Sequence, residues 1–150
     1  MDRPLGNADP ETIDWLGLNG GVIDEFRNNG GECGGRFEGN PMILLTTIGA
    51  KSGLERTSPL TYTMDGDRIV VIASRAGSDR HPDWYINLVA HRDVTVELGD
   101  ESFAAVASIA DEPERTRLFD ERIAVMPRFG EYLQATNRVI PVVVLERADG

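Results

Sequence analysis

Two glycine-containing turn sequences, Asp65-Gly66 and Gly99-Asp100, constrain the fold of this chain more than any other feature. Each lies between two β-rich segments, Thr57–Met64 and Arg68–Ser74 in the first case and Val94–Leu98 and Ser102–Ile109 in the second. Short loops of glycine and aspartate between strands are typical of β-hairpins, whose strands are antiparallel. A doubly wound parallel sheet is therefore disfavoured, because it needs a helix between successive strands.

The remaining segments complete an α+β pattern. Strands are also predicted at Met42–Ile48 and Val139–Leu145, where Pro141 suits an edge strand or the start of a strand. Four segments predict helices, namely Val22–Arg27, His81–Leu88, Asp111–Met126 and Phe129–Thr136. The order predicts about six mainly antiparallel strands, curled into a barrel and flanked by helices. We expect an N-terminal arm with a short helix over residues 1–21 and a single domain over residues 22–150.

Charge and composition exclude several classes of protein. Lys and Arg number 15 against 25 Asp and Glu, a net charge of −10. Nucleic-acid binding needs a basic surface, so it is disfavoured, as is electrostatic attraction to anionic lipids. The single cysteine, Cys33, rules out an internal disulfide and suits a reducing compartment. With no apolar run of membrane-spanning length and no signal peptide, the sequence predicts a cytoplasmic protein.

The acidic charge is unevenly distributed along the chain. Residues 50–81 carry five cations and four acids, whereas the rest of the chain is strongly acidic. An anionic ligand is repelled least by this near-neutral segment, so the segment is the place to expect one. It includes Lys51, the only lysine in the chain.

The segment Gly49-Ala50-Lys51-Ser52-Gly53 has the composition of a phosphate-binding loop. Glycines let backbone N–H groups turn inward, and a lysine with a serine hydroxyl adds charge and donors. It is not a P-loop, because Ala50 separates Gly49 from Lys51 and a strand follows it. Arg56 would add a second cation at the same end of the sheet. An exposed turn with one charge is the alternative interpretation.

The segment from His81 to Asn87 offers a second candidate. Trp84 and Asn87 are three residues apart on the predicted helix and therefore share a face, which would present a flat ring and an amide. The alternative is that Trp84 lies in the core. Ser74 is more typical of a strand-end hydroxyl than of a nucleophile. His81 and His91 have no pattern of acids or cysteines around them, so no metal site is expected.

Met126, Phe129 and Tyr132 are spaced by three residues near the C-terminus. On a helix this spacing puts them on one side, where they could close a pocket or simply pack against the core. The residues alone thus predict an anion-binding barrel with an aromatic pocket. They do not indicate which reaction it would catalyse.

Taken together, these segments resemble the deazaflavin-dependent nitroreductase family. The resemblance rests on four stretches in order: Leu44–Leu60, Val71–Gly77, His81–Leu88 and Arg138–Glu146. It implies a split β-barrel that binds coenzyme F420, an 8-hydroxy-5-deazaflavin with a phospholactyl-oligoglutamate tail. The resemblance also implies a role for each matching position. Lys51, Ser52 and Arg56 would hold the phosphate and tail, and the ring would lie among Pro59, Ser74, Ala76, Gly77, Trp84 and Asn87. Arg75 and His81 would also bind the coenzyme.

The resemblance further implies hydride transfer from reduced F420 to a quinone, a nitroaromatic or another activated unsaturated acceptor. Ser74 and Tyr132 would stabilise charge on the acceptor, and Met126, Phe129 and Tyr132 would line its pocket. Because Met126 and Phe129 lack the tyrosine hydroxyls of some nitroreductive relatives, quinone reduction is favoured. Two alternatives remain, a deazaflavin carrier without turnover and an FMN-dependent enzyme.

The predicted partners are a small-molecule acceptor and, for a homodimer, a second copy of the chain; a monomer is equally compatible with the sequence. A quinone acceptor would imply contact with the inner face of the plasma membrane. The N-terminal segment with Trp15, Val22, Ile23 and Phe26 could supply that contact.

Overall fold

The structure, a computed structural model, describes residues 18–31, 41–74 and 81–148. Trp15 lies outside these ranges, as do most of the predicted N-terminal arm and Arg75, Ala76 and Gly77. In chain order the elements are α1 (Leu18–Asn28), β1 (Met42–Ile48), β2 (Glu55–Thr61), β3 (Thr63–Asp65), β4 (Arg68–Ile72), α2 (Asp83–Ala90), β5 (Asp93–Leu98), β6 (Glu101–Ile109), α3 (Glu114–Val125), α4 (Arg128–Ala135) and β7 (Val142–Arg147).

The seven strands form one sheet in the order β2-β1-β5-β6-β7-β4-β3, and every neighbouring pair is antiparallel. β2 and β3 lie at opposite edges of this sheet, yet only Tyr62 separates them in the chain. The sheet must therefore curl until its two edges almost meet, which confirms the predicted curled antiparallel sheet. The single strand predicted over Thr57–Met64 is divided at this bend into two.

Both predicted hairpins are present. Asp65 pairs with Arg68, and Leu98 pairs with Glu101, so each loop contains two residues. Gly66 has a φ of +66° and Gly99 a φ of +59°. Because residues with a side chain rarely adopt positive φ, glycine at these two positions favours the tight turns that set the strand register.

The alternating side chains of β4 and β7 face two separate cores. Ile69, Val71, Val143 and Leu145 point into the barrel, where α2 covers them with Trp84 and Leu88. The intervening residues pack outside the barrel against α3 and α4. These are Val70, Ile72, Val142 and Val144, with Leu118, Phe119 and Phe129 from the helices. β7 is thus an interior strand buried on both faces, which explains its unbroken apolar run.

Pro141 immediately precedes β7, so of the two predicted positions for this proline the strand start is the observed one. Its carbonyl accepts a hydrogen bond from the Ala73 N–H. Prolines also precede the last three helices: Pro82 before α2, Pro113 before α3 and Pro127 before α4. Proline suits this place because the first N–H groups of a helix have no partner within it.

α1 packs on the outer face of β1. Phe26 is buried against Met42 and Leu44, with Ile23 beside them, as the helical spacing predicts. The helix begins at Leu18, four residues before its predicted start. No helix in the described ranges is long and apolar enough to cross a membrane.

Candidate cofactor site

The loop between β1 and β2, residues 49–54, is a closed turn of six residues. The Gly49 N–H donates to the Leu54 carbonyl at 2.8 Å, and the Gly53 N–H donates to the Gly49 carbonyl at 2.9 Å. A Cβ on Gly49 would collide with Ser52 Oγ, so a side chain at position 49 would displace the Ser52 hydroxyl from the turn. Gly53 has a φ of +73°. These two glycines therefore shape the predicted phosphate-binding loop, here called the cradle. Gly49 leaves room for the Ser52 hydroxyl, and Gly53 allows a positive φ.

The Ser52 hydroxyl is directed back into this loop. Its Oγ accepts a hydrogen bond from the Leu54 N–H at 3.2 Å. The oxygen is used to hold the turn, which leaves the hydroxyl proton to donate to an anion. The structure thus gives Ser52 a role in loop shape that sequence reasoning did not assign to it.

Asn87 of α2 fastens the loop to the body of the protein. Its Oδ1 accepts a hydrogen bond from the Ala50 N–H at 2.9 Å, and its Nδ2 donates to Thr47 Oγ1 at 3.2 Å. Asn87 is 8% exposed and Thr47 is fully buried. Both ends of the amide are therefore used by the hairpin that carries Lys51. Sequence reasoning missed Thr47, because nothing local links it to a residue 40 positions away.

Lys51 and Arg56 are exposed, and neither makes a hydrogen bond, ion pair or ring contact to another described residue. Several other arginines of the described ranges pair with carboxylates, for example Arg27 with Glu97 and Arg147 with Glu101. Arg56 lies opposite Thr47 in the β1–β2 register. Directly opposed residues share a face of the sheet, so Arg56 is on the side that Asn87 covers. Two cations without a partner among the described residues therefore lie in or beside the loop that Asn87 holds.

A second group of residues joins the end of β4 to the start of α2. The Arg138 guanidinium donates through Nη2 to the Ser74 carbonyl at 2.7 Å and the Ala73 carbonyl at 3.1 Å. Its Nη1 lies 3.0 Å from His81 Nδ1. A guanidinium only donates, so Nδ1 accepts, and the neutral ring carries its proton on Nε2. Burial, with a smaller contribution from the Arg138 charge, lowers the pKa of His81 below its usual range.

No role was predicted for Arg138, although it lies in the run that carries the family resemblance. Its three contacts reach residues 57 to 65 positions away, and no sequence pattern indicates them. Ser74 is 2% exposed at this junction, as a strand-end residue. The structure thus brings together Ser74 and His81, two of the predicted coenzyme-binding residues, through a residue that sequence reasoning missed.

Trp84 lies on the inner face of α2 and is only 2% exposed. Its ring belongs to the barrel core with residues such as Ile43 and Leu45, so the core interpretation of Trp84 describes its packing. The indole Nε1 is buried and has no hydrogen-bond partner in the described part of the chain. Buried indole N–H groups usually have an acceptor, so this is a donor to be explained.

Pro59 is separated from these residues by the strand itself. It lies opposite Leu44, whose side chain packs against α1 on the outer face of β1. Arg56 is three positions away on β2, and neighbouring positions alternate between faces. The structure therefore does not place Pro59 on the side that carries Arg56 and Asn87.

Met126 and Phe129 are in the outer core, and their packing interpretation is the one observed. Phe129 is 4% exposed, with its ring 5.1 Å from that of Tyr132 and 4.8 Å from the Arg122 guanidinium. This core lies on the opposite face of β4 from Trp84. Of the three predicted pocket residues, only Tyr132 is partly exposed.

Comparison with known proteins identifies the family of this chain. The model of the F420H(2)-dependent quinone reductase family matches residues 21–147. The chain belongs to this family. An F420H(2)-dependent quinone reductase of Mycobacterium tuberculosis is 40% identical over 128 residues, which are 81% of this chain and 85% of the relative.

Two solved structures resemble this F420H(2)-dependent quinone reductase family member. One is an F420-H2 dependent reductase, with 34% identity and a TM-score of 0.65, covering 71% of this chain and 94% of that one. The other is a domain-swapped dimer, with 32% identity and a TM-score of 0.67, covering 89% and 98% of the two chains. The predicted family, split-barrel fold, oxidoreductase class and coenzyme F420 are confirmed.

The residues described above fit an F420-type coenzyme. Its tail carries a phosphate and carboxylates, and Lys51 and Arg56 are cations without an acidic partner in the described ranges. Trp84 Nε1 is a buried donor that also lacks an acceptor among those residues. The donor set thus suits an anionic ligand with acceptor atoms.

Proposed function

We propose that this chain catalyses hydride transfer from reduced coenzyme F420 to a quinone and that Lys51 and Arg56 bind the coenzyme's phosphate and tail. The observation that carries the proposal is that Lys51 and Arg56, beside a loop that Asn87 holds in place, have no partner among the described residues. Family membership supports the coenzyme and the acceptor class. Nitroaromatics and other activated acceptors stay predictions.

Charge makes the proposed position favourable. A protein of net charge −10 repels a polyanion over most of its surface, so local cations must compensate. A lysine or arginine that already pairs with a carboxylate would have to give up that contact to bind the tail. Lys51 and Arg56 have no such contact to lose in the described chain. The loop also needs little ordering on binding, because Asn87, Ser52 and the turn hydrogen bonds already fix it.

The chain's own residues orient the coenzyme and stabilise charge on the acceptor. When bound, the deazaflavin supplies a hydride from a ring carbon. As hydride arrives, negative charge develops on an acceptor oxygen, and a hydroxyl that donates a hydrogen bond stabilises it. We propose Ser74 and Tyr132 for this role. Phe129 has no hydroxyl and is buried in the outer core, and Met126 packs beside it, so neither can donate.

The remaining coenzyme-binding residues are part of the same proposal. His81 precedes α2 and Trp84 lies on its inner face, and Trp84 Nε1 is a donor that has no acceptor among the described residues. Arg75, Ala76 and Gly77 lie outside the described residues and keep their predicted role. A homodimer is supported by the domain-swapped relative, and light scattering of the purified protein tests it. Peripheral membrane contact is likewise a prediction, tested by flotation with quinone-containing vesicles.

The proposal is tested by adding purified protein to reduced F420 and menadione and following the return of the oxidised chromophore. Acceleration over the protein-free reaction is expected, and its absence across several quinones contradicts the proposed activity. Binding of F420 without turnover would instead identify a carrier. Tighter binding of FMN than of F420 would identify the FMN-dependent alternative.

The assigned cations are tested by Lys51→Ala. Loss of a charged hydrogen bond should weaken F420 binding by about 1–3 kcal/mol. Arg147→Ala is the matched control, because it removes the same charge from a surface arginine that pairs with Glu101. Calorimetric titration of both variants should show weaker binding only for Lys51→Ala. Equal affinities for the two variants would refute the proposed cradle.

A further inference from the structure

We infer that Arg138 is a positioning residue that sets the place of α2, and through α2 the place of the Lys51 loop, by joining the end of β4 to His81. The inference rests on the proposed function of the Lys51 loop. Its basis is that α2 is fastened at both ends by single side chains. Arg138 contacts His81 just before the helix, and Asn87 in the helix contacts Thr47 and Ala50.

The geometry at the first end is specific to arginine. One guanidinium reaches two carbonyl oxygens of the β4 end through Nη2 and the ring nitrogen of His81 through Nη1, at 2.7, 3.1 and 3.0 Å. A lysine ammonium is a point charge without this planar fork, so it cannot reproduce all three contacts. Arg138 and His81 are both partly buried, which keeps water from readily replacing the contact.

The second end carries the effect to the site. Trp84, Asn87 and Leu88 form the buried face of α2, so the helix is packed as a unit against the barrel. Asn87 follows His81 by six residues, less than two helical turns. A displaced start of α2 therefore moves the amide that holds Ala50, and with it the backbone next to Lys51. Arg138 thus influences F420 binding without touching the proposed cradle.

The contact also depends on the protonation of His81. Protonated Nδ1 cannot accept from Arg138, and the two cations then repel each other. Within the described ranges, the titratable and charged groups at His81 are Arg138 and Tyr85, whose ring centroid is 4.8 Å away, with exposed Asp83 nearby on α2. Asp79 and Arg80 lie outside these ranges. Acid should therefore loosen the contact.

A test without ligand uses the two histidines of the chain. Ring resonances of His81 and His91 are followed by NMR during a pH titration of wild-type protein and of Arg138→Ala. The pKa of His81 should rise in the variant, because the neighbouring cation and its hydrogen bond are removed. His91, which is exposed and outside the contact, is the internal reference. An unchanged His81 titration would overturn the inferred contact.

The effect on the site is measured by calorimetric titration with F420 at about pH 7 and at a pH below the His81 pKa that the NMR titration gives, because that pKa lies below the usual histidine range. Acid should weaken binding to wild-type protein about fivefold more than to His81→Asn, whose amide oxygen still accepts from Arg138. His91→Asn should behave as wild type. Ionisation of the coenzyme affects all three proteins alike. The same pH dependence in wild-type protein and His81→Asn would overturn the inference.

Arg138→Lys provides a variant with the charge retained, should Arg138→Ala fail to fold. It should weaken F420 binding about tenfold at neutral pH while its circular dichroism stays that of wild type. Unchanged affinity in Arg138→Lys, together with weakened affinity in Lys51→Ala, would refute the inference and leave the proposed function standing. Loss of F420 binding in none of the variants would refute both.

Discussion

Replacing Asn87 by alanine tests whether the α2 amide holds the proposed coenzyme loop. The change removes two hydrogen bonds, one to the Ala50 N–H and one to Thr47 Oγ1. Ala50 is exposed, so water can replace its bond, and the loss is about 0.5–1.5 kcal/mol. Thr47 is fully buried, and leaving its hydroxyl short of a partner costs about 1–3 kcal/mol.

The expected decrease in the free energy of unfolding is therefore about 1.5–4.5 kcal/mol, and at about 2–4 °C per kcal/mol for a chain of this size the melting temperature falls by roughly 3–18 °C. Urea unfolding gives the first quantity and calorimetry the second. Val89→Ala on the same helix is the control. Val89 is 45% exposed, and the substitution shortens its side chain without removing a hydrogen bond.

Two further measurements separate the hydrogen bonds from general destabilisation. The Ala50 amide should exchange with deuterium faster in Asn87→Ala than in Val89→Ala. A double-mutant cycle with Thr47→Val should give a coupling energy of about 0.5–1.5 kcal/mol, because the two side chains share one bond. A stability loss below about 0.5 kcal/mol, with unchanged exchange at Ala50, would refute the role assigned to Asn87.

Two predictions concern other parts of the chain. Hydrogen bonds from Arg117 and then Arg68 lower the pKa of Asp65 to about 2, so its stabilising contribution is present above its ordinary value of 3.8 and is lost as pH falls towards 2. The change in urea midpoint between about pH 3.8 and pH 2 should therefore be smaller in Asp65→Asn than in the wild-type protein. An equal change in the two proteins would contradict the ion pairs assigned to Asp65. Phe129→Tyr should destabilise the protein by about 1–3 kcal/mol, because it buries a hydroxyl in the outer core, without increasing nitroreduction. Urea unfolding and a nitroaromatic assay measure the two effects, and a gain in nitroreduction at unchanged stability would show that position 129 lines the acceptor pocket.

The hairpins and the proline-preceded starts of α2, α3 and α4 could be predicted because their causes are local, whereas α1 begins four residues before its predicted start. Gly66 and Gly99 adopt positive φ, and Pro82 stands just before α2. The bend at Tyr62 could not be predicted in this way, because the sequence on both sides of it is equally β-rich. Whether a strand continues or leaves for the other edge of the sheet depends on pairing with distant segments.

In the candidate site, too, only the features with local causes could be predicted from the sequence. Loop composition indicated Lys51 and Ser52, but not that Asn87 would be committed to holding them, because its partners are 37 and 40 residues away. Helical spacing correctly put Phe129 and Tyr132 on one side of α4. Spacing does not reveal what that side contacts, and here Phe129 is buried in the outer core while Tyr132 packs against it and is partly exposed.

The bend at Tyr62 has a consequence for how copies of this chain can associate. Exposed edge strands invite strand addition by other chains, which leads to aggregation. In the sheet of the described residues, one edge is β2, which has seven residues but contains Pro59 and so lacks one backbone donor, while the other edge, β3, has three residues. Both edges belong to one short stretch of chain at the seam of the barrel. A continuous sheet across two molecules is therefore disfavoured, and association through sheet faces or helices, or by exchange of a segment, is the route that this topology leaves open.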